Sequence, residues 1–290
     1  MSTAAATAPV LVLGVTGKTG AAVAHALLAL GVPVRGTSRS GAAALDRVPA
    51  GVEVVDLDPV TGAGLDEALA GVRAIHHSAP NLFADEVGML ERTVAAARRA
   101  GVSRVVFHSV MHPYAPNMPH HLRKAQAEHL LRTSGLDWTI LQPAAYHQNL
   151  LGGLPEGRLA WPYSLDRTFS NVDLRDVAQA SAEVLVHDGH VHATYELAGP
   201  EELDAHTMAA QAGEVLGIDV RAERSEPPTI AGDLRASAEL LAMFAHYDAH
   251  GFVGSPRALT QLLGRRPTTW QQAVTDLAET TSPVRGRHPR

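Results

Sequence analysis

The chain has 290 residues, 46% of them hydrophobic, and a formal net charge of −6 at pH 7. A chain of this length buries a full core, and its negative charge offers no general attraction to nucleic acid. It contains no cysteine, which excludes a disulfide framework and fits a reducing cytoplasm. No apolar run approaches about 20 residues, so no membrane span is expected. We expect a cytoplasmic protein with a flexible leader (1–8) and a flexible tail (281–290) and with neither nucleic acid nor membrane as partner.

The first structural unit is a strand, a glycine-rich turn and a helix. The apolar run Val10–Leu13 is typical of a buried parallel strand and stops at Gly14. Gly17 and Gly20 follow at three-residue spacing, before the helical run Ala21–Leu30. Such glycines make a tight turn and let pyrophosphate approach the backbone, while the helix N-terminus attracts phosphate. The predicted cofactor-binding residues of this turn are Gly14, Thr16, Gly17, Lys18, Thr19 and Gly20.

The residues after the second predicted strand, Val32–Thr37, indicate which dinucleotide binds. An NAD site carries Asp or Glu about 20 residues beyond the glycines, where it binds the ribose 2′-hydroxyl. This chain has Ser38 and Arg39 there, and its first carboxylate is Asp46. A guanidinium fork suits phosphate geometry, so Arg39 favours NADP over NAD. The alternative is a surface arginine in a loop.

Two further predicted strands end near the expected cofactor. They are Val52–Val55 and Val72–His77. Chain that leaves the carboxyl ends of parallel strands borders the ligand in this class of sheet. The residues that follow the second of these strands and are expected to bind the cofactor are Ser78, Ala79 and Pro80.

The sixteen histidines raise the question of a metal site. His76 and His77 are consecutive, so they point to opposite faces of their strand, and we expect one to be packed and the other exposed. His187, His190 and His192 lie in a short loop that contains glycine. Because the sequence has no H-E-x-x-H motif or carboxylate–histidine cluster, we predict no metal.

A long loop rich in proline and histidine follows the fifth predicted strand, Arg104–Ser109, and precedes a helix that begins near Leu122. It lies at the carboxyl end of the sheet, where α/β ligand sites form. Lys124 and Glu128 are one helical turn apart on the same face, and spacing alone favours a helix-surface ion pair. The candidate site residues of this region are Ser109, His112, Tyr114, His120, His121 and Lys124.

The sixth predicted strand, Trp138–Gln142, lies within SGLDWTILQP and leads to Pro143, which turns the chain over the cofactor. Tyr146 and Asn149 follow, and we expect them to bind substrate. The helix 174–185 and the edge strand 194–198 are predicted to return to the main domain. Predicted helices at 205–216, 232–250, 256–263 and 267–279 form a smaller region.

Three stretches carry a resemblance: the G-x-x-G-x-x-G turn with Thr16 before its second glycine, the Lys124 and Glu128 pair, and SGLDWTILQP. They are similar to the NmrA-like family of the atypical short-chain dehydrogenase/reductase superfamily, and the resemblance covers nearly the whole chain. It implies that Lys124 holds the nicotinamide ribose, and that Asp56 and Leu57 lie against the adenine.

The resemblance also implies where catalysis takes place. Ser109 falls close to the position of an active-site hydroxyl in short-chain dehydrogenases. Those enzymes carry Tyr four residues before the active-site Lys, and here that position is His120. With an unperturbed pKa of about 6.5, His120 is a candidate acid, as are His112, His121 and Tyr114. A pH profile with a limb in the range of histidine is then expected.

We therefore predict an α/β protein with a Rossmann-type doubly wound parallel sheet and a small, mainly helical C-terminal substrate lobe. The expected NAD(P)-binding domain spans 9–150 and the lobe 151–280, with 168–199 returning to the first domain. The predicted function is NADP-dependent reduction of a small quinone, enone or other conjugated carbonyl. Two alternatives remain, an NADP(H)-sensing regulatory protein and a non-redox cyclase or isomerase of secondary metabolism. The oligomeric state is left open between monomer and homodimer.

Overall fold

The computed structural model describes residues 8–227 and 229–281. Residues 1–7 of the predicted leader and residues 282–290 of the predicted tail lie outside this range. Nine strands are described: β1 Val10–Val12, β2 Val34–Ser38, β3 Val52–Asp56, β4 Ala74–His77, β5 Arg104–His108, β6 Asp137–Pro143, β7 Arg158–Trp161, β8 Ala193–Leu197 and β9 Arg221–Arg224.

The described residues also form nine α-helices and three short 3₁₀ segments. The helices are α1 Lys18–Ala29, α2 Leu65–Leu69, α3 Glu86–Ala100, α4 Pro119–Arg132, α5 Leu174–Val186, α6 Ala205–Leu216, α7 Leu234–His250, α8 Arg257–Leu263 and α9 Trp270–Thr281. The 3₁₀ segments are Gly41–Arg47, His147–Asn149 and Leu151–Glu156.

The main sheet has seven strands in the order β3-β2-β1-β4-β5-β6-β8, and every neighbouring pair is parallel. The order reverses between β1 and β4, so the crevice above those strands is the expected ligand site. The Rossmann-type doubly wound sheet predicted from the sequence is confirmed.

Side chains of β1 alternate between two hydrophobic cores, one on each face of the sheet. Val10 and Val12 pack in the core that α1 and α5 cover. Leu11 and Leu13 pack in the core that α2, α3 and α4 cover. A parallel sheet covered on both faces requires strands that are apolar on both sides, which is why Val10–Leu13 reads as a continuous apolar run.

The C-terminal lobe consists of α6 to α9 and a two-stranded parallel sheet of β7 and β9. The four predicted helices are present, but neither of these strands was predicted. Arg158–Trp161 and Arg221–Arg224 are only four residues each, too short to show a period of two against their surroundings. The lobe's aromatic side chains join the core on the α1 and α5 face.

Two sequence-based expectations are wrong in detail. His76 and His77 are both fully buried, because helices cover both faces of the sheet and neither side of β4 meets solvent. The helix expected near Leu122 begins at Pro119. Proline fits the first helical turn because its missing N–H has no partner there, so His120 and His121 belong to a helix rather than to the preceding loop.

Several histidines are buried in the neutral form. Burial lowers the pKa of His76 and His147 to about 4 and that of His77 to about 3. It also holds the pKa of His108 well below its usual value. The unfolded chain binds these protons near pH 6.5 and the folded chain does not, so acid uptake favours unfolding.

We predict that the free energy of unfolding is greatest above about pH 7 and falls steeply from about pH 6.5 towards pH 4. His77→Phe, beside Phe107, removes one such proton. It should reduce the slope by up to about 1.4 kcal/mol per pH unit. Urea unfolding across this range measures the slope. His25→Gln, at an exposed position, is the control; equal slopes in the two variants would contradict the account.

Candidate functional site

A single cavity of about 790 Å³ runs from the glycine turn across the carboxyl ends of the strands to the C-terminal lobe. This volume lies in the upper part of the range of ligand pockets. Its wall includes most of the predicted site residues. They are Gly14, Thr16, Gly17, Lys18, Thr19, Gly20, Arg39, Leu57, Ser78, Ala79, Pro80, Ser109, His120, His121, Lys124, Pro143, Tyr146 and Asn149.

The glycine turn forms one end of the cavity. Gly14 has a φ of +68°, which favours glycine, and its N–H donates to Thr37 Oγ1 at 3.1 Å. A Cβ on Gly20 would overlap the carbonyl oxygen of Gly14, so glycine is needed there for α1 to lie close to the turn. Gly17 caps α1 without any side-chain hydrogen bond to the helix, which leaves backbone N–H groups available to an anion.

Arg39 lies in the cavity wall just beyond β2 and is exposed. Within the described residues it makes no hydrogen bond or ion pair. Ser38 and Thr37 line the wall beside it. A free guanidinium next to two hydroxyl side chains fits the 2′-phosphate of NADP. Together with the uncapped helix, these donors fit a dinucleotide.

Lys124 is buried, and its partner differs from the one expected. Its Nζ lies 2.5 Å from Glu86 Oε1 and donates to the carbonyl oxygen of His108 at 3.1 Å. Glu86 is the first residue of α3 and is fully buried. The i, i+4 ion pair with Glu128 does not form, because the Lys124 ammonium turns towards the cavity and the neighbouring helix.

Glu128 instead organises a second buried group of polar side chains. Its Oε1 accepts hydrogen bonds from Ser109 Oγ at 2.6 Å and from Gln142 Nε2 at 2.7 Å. Arg132 NH2 lies 3.4 Å from its other oxygen. The Ser109 hydroxyl proton is therefore directed to a carboxylate and away from the cavity.

His120 and His121 lie on the first turn of α4 and are buried in the cavity wall. Burial, and secondarily the charge of Lys124, lowers the pKa of His120 to about 3. Burial lowers the pKa of His121 to about 4, although its Nδ1 donates to the carbonyl oxygen of His112 at 3.1 Å. Both imidazoles are neutral at pH 7, so the pH limb expected for His120 near 6.5 is displaced far into the acid range.

Tyr146 and Asn149 reach the cavity from the segment after β6. The Tyr146 hydroxyl lies 2.8 Å from His108 Nε2 and 3.3 Å from Thr19 Oγ1. Burial raises the pKa of Tyr146 to about 12. Lys18 Nζ donates to Asn149 Oδ1 at 2.8 Å, so the glycine turn and this segment are joined at the cavity mouth.

The opposite end of the cavity is an aromatic wall from the C-terminal lobe. Tyr163 lies 5.3 Å, centroid to centroid, from both Phe244 and Tyr247, and Tyr247 lies 4.8 Å from Phe252. Burial raises the pKa of Tyr163 and Tyr247 above its usual value, so both stay neutral. Leu240 and Met243 complete an apolar surface suited to a flat, uncharged molecule.

Three predicted site residues do not line this cavity. Asp56 is the last residue of β3, and its carboxylate lies so close to Gly41 that a Cβ on Gly41 would overlap it. His112 packs against Phe252 at 5.1 Å, and Tyr114 is 65% exposed. The loop that carries His112 and Tyr114 turns outward before α4. Their catalytic roles and the cofactor contact of Asp56 stay predictions.

Sequence reasoning missed several residues of the wall and also the buried partner of Lys124. His108 ends β5, one residue before the predicted Ser109, and its position at a strand end was available as a signal. Glu86 had no signal, because its pairing with Lys124 depends on how α3 and α4 pack. The lobe residues at 240, 243, 244 and 247 have the spacing of a buried helix face, which does not distinguish core from ligand wall.

No group of three or more His, Cys, Asp or Glu residues able to hold a metal ion occurs in the described part of the chain. Nor does any described helix have the length and apolar character needed to cross a membrane.

Solved structures with the same fold include two of contrasting description. The NADPH-dependent quinone oxidoreductase QOR2 of Escherichia coli, in complex with NADPH, superposes with a TM-score of 0.78 at 23% identity, over 93% of this chain and 99% of that one. NmrA, a negative transcriptional regulator in complex with NAD, gives a TM-score of 0.75 at 18% identity, over 94% and 96%. At these sequence identities, both comparisons show that the fold is shared and nothing more.

Sequence relatives are closer. A (4-alkanoyl-5-oxo-2,5-dihydrofuran-3-yl)methyl phosphate reductase of Streptomyces griseus is 33% identical over 249 residues, 79% of this chain and 86% of the relative. Quinone oxidoreductase 2 of Escherichia coli is 26% identical over 266 residues, 88% of this chain and 86% of the relative. The model of the NmrA-like family matches residues 6–279. The chain therefore belongs to the NmrA-like family.

Proposed function

We propose that the protein is an NADP-dependent oxidoreductase that reduces a small, planar, conjugated carbonyl compound such as a quinone or an enone. One observation carries the proposal: a phosphate-binding turn, a free arginine, a buried lysine and an aromatic wall all border one continuous cavity. Its oxidoreductase character agrees with the names of its sequence relatives. The names also describe conjugated carbonyl substrates, a quinone in one case and an oxo-dihydrofuran in the other.

The donors at the glycine turn suit a dinucleotide phosphate. The N-terminus of α1 and Lys18 would hold the diphosphate, and Arg39 would hold the 2′-phosphate. Lys124, held by Glu86, would hold the nicotinamide ribose. Reduced NADP supplies a hydride when it is bound.

The substrate's place is the remaining part of the cavity, between Lys124 and the aromatic wall. Tyr163 and Phe244 stack against a flat ring and exclude water. A carbonyl oxygen that points towards α4 meets His120, whose neutral imidazole donates a hydrogen bond as the oxygen becomes negative. Stacking on the aromatic wall does not require a charge on the substrate. This favours a neutral small molecule of a reducing cytoplasm as the substrate.

The two alternative functions predict different measurements. The assay measures NADPH oxidation by absorbance, with quinones, enones and a furanone phosphate ester tested as separate substrates. We expect the oxidation to require the enzyme. Consumption of NADPH with any conjugated carbonyl supports the proposal. A sensor would bind NADP and NADPH without turnover, and a non-redox enzyme would convert substrate with no change in the nucleotide; either result contradicts the proposal.

Arg39→Ala should weaken NADP binding by roughly 10- to 100-fold and leave NAD binding nearly unchanged, because one charge-assisted contact to the 2′-phosphate is worth about 1.5 to 3 kcal/mol. Titration of both nucleotides measures this. Arg47→Ala, at an exposed position outside the cavity wall, is the matched control. Wild-type protein with equal affinity for NAD and NADP would refute the role of Arg39.

Gly17→Ala should fold normally and lose most of its NADPH affinity. The added Cβ would lie 3.2 Å from the carbonyl oxygen of Gly14, a tight contact that a shift of a few tenths of an ångström relieves, but it would occupy the space through which phosphate approaches. Gly152→Ala, which meets no atom within 4 Å, controls for a general effect of the substitution. Calorimetric titration with NADPH distinguishes them, and normal binding by Gly17→Ala rules out the turn as the phosphate site.

His120→Ala should lower kcat by about 10²- to 10³-fold, as expected for loss of a hydrogen bond to a developing oxyanion, with little change in NADPH affinity. Because the pKa of His120 is held at about 3, wild-type kcat should show no histidine limb between about pH 5.5 and pH 8. His129→Ala, an exposed residue of the same helix, should behave as wild type. A limb near pH 6.5 that disappears in His120→Ala would contradict the neutral form.

A further inference from the structure

The side chains of Tyr146, His108 and Thr19 meet at the cavity from three separate elements. We propose that Tyr146 is the proton donor of the reduction and that His108 orients and supports it. This inference rests on the proposed function and names the group that completes the reaction there. It assigns a catalytic role to a tyrosine that lies far in sequence from Lys124.

The backbone holds Tyr146 in place independently of any ligand. Ala144 N–H donates to the Leu197 carbonyl at 3.0 Å, and Val172 N–H donates to the Ala145 carbonyl at 2.9 Å. His147 N–H donates to the Val172 carbonyl at 2.9 Å, and Tyr146 forms a parallel bridge with Val172. The segment therefore continues β6 as a rigid edge, and rigid support is what a proton donor requires.

Two other groups nearby, Ser109 and His121, are committed elsewhere. Ser109 gives its proton to Glu128. His121 gives its Nδ1 proton to the His112 carbonyl, so in the neutral ring its Nε2 has only a lone pair to offer. Tyr146 differs, because neither of its neighbours is a charged acceptor and its hydroxyl proton remains available to a substrate oxygen.

The chemistry of His108 suits the supporting role. A neutral imidazole has one N–H donor and one acceptor nitrogen, and burial keeps His108 neutral. In the tautomer that carries the proton on Nε2, His108 donates to the phenolic oxygen at 2.8 Å. That bond leaves the Tyr146 proton free to point at the substrate and stabilises the phenolate when the proton departs.

Hydride transfer oxidises the reduced nicotinamide and reduces the conjugated substrate by two electrons, which places negative charge on the substrate oxygen. The Tyr146 O–H bond breaks while a new O–H bond forms on that oxygen. The resulting phenolate keeps its hydrogen bonds to His108 and Thr19, and water returns the proton after product leaves. Burial raises the Tyr146 pKa to about 12, so the phenol holds its proton until the substrate oxygen becomes basic.

Tyr146→Phe tests the donor directly, because it removes only the hydroxyl. We expect kcat to fall by about 10²- to 10⁴-fold, with an unchanged KM for NADPH and an unchanged NADPH dissociation constant. Another hydrogen-bonded Tyr–His pair among the described residues supplies a matched control. Tyr195 hydroxyl lies 2.9 Å from His190 Nδ1 on the edge strand, away from the cavity, and Tyr195→Phe should keep wild-type kcat.

Substitution of His108 separates its supporting role from packing. His108→Gln places an amide N–H near the position of Nε2 and should retain most of kcat, whereas His108→Leu offers no donor and should lose about 10-fold or more. Thermal unfolding of both variants shows whether packing is affected equally. Equal kcat in the Gln and Leu variants would overturn the role of His108.

The remaining outcomes are decisive for the donor. If wild-type protein reduces a conjugated carbonyl and Tyr146→Phe does so at the same kcat, the inference is overturned while the proposed function stands. If Tyr146→Phe keeps kcat but binds NADPH weakly, Tyr146 is a cofactor ligand and the inference is equally overturned. If wild-type protein turns over no member of the panel, the proposed function itself has failed.

Discussion

The site depends on the pairing of the buried Lys124 ammonium with Glu86 and with the His108 carbonyl. Removing a lysine from water costs several kcal/mol unless a partner and further hydrogen bonds offset it. Glu86 from α3 and the His108 carbonyl at the end of β5 provide those partners. One side chain thus links two helices and a strand, and the position of each is constrained by the need to keep this charge paired.

That constraint explains the character of the neighbouring groups. A positive charge near buried imidazoles opposes their protonation, and Lys124 contributes to the lowered pKa of His77, His108 and His120, although desolvation is the larger cause in each. The histidines of the cavity are therefore neutral hydrogen-bonding groups. A protein with many histidines need be neither a metal binder nor a sensor of pH near neutrality when its histidines are packed this way.

The sequence was sufficient for the fold and for the residues that line the glycine-turn end of the cavity. The glycine turn, the NmrA-like family and the oxidoreductase class could be recognised because each depends on residues adjacent in the chain, such as Gly14 to Gly20. Periodicity also located the main helices. The expectation that either His76 or His77 is exposed was wrong, because alternation tells which face a residue occupies but not whether that face is covered.

The part of the cavity around Lys124 was harder to predict, because its contacts join residues that are far apart in the sequence. The partner of Lys124 is Glu86, which lies in a different helix and far earlier in the chain. The nearer carboxylate, Glu128, accepts hydrogen bonds from Ser109 and Gln142. Spacing along a helix identifies which groups can meet. Which groups do meet depends on how the helices pack and on the preference of buried polar groups for partners.

The cavity combines two surfaces of different origin, and an ion pair between α4 and α7 helps to hold them together. Polar donors come from the ends of the main strands and from α4, whereas the aromatic wall comes from the lobe, chiefly from α7.

Arg123 of α4 binds Glu239 of α7 through both carboxylate oxygens, at 2.8 and 2.5 Å. This pairing lowers the pKa of Glu239 to about 2, so the pair persists from acid to neutral pH. Because Glu239 directly precedes the wall residue Leu240, and Arg123 directly precedes Lys124, the ion pair fixes the apolar surface relative to the ammonium. The distance between the aromatic wall and the polar groups of α4 is thereby set by secondary structure, which is more rigid than the loops that carry many ligand sites.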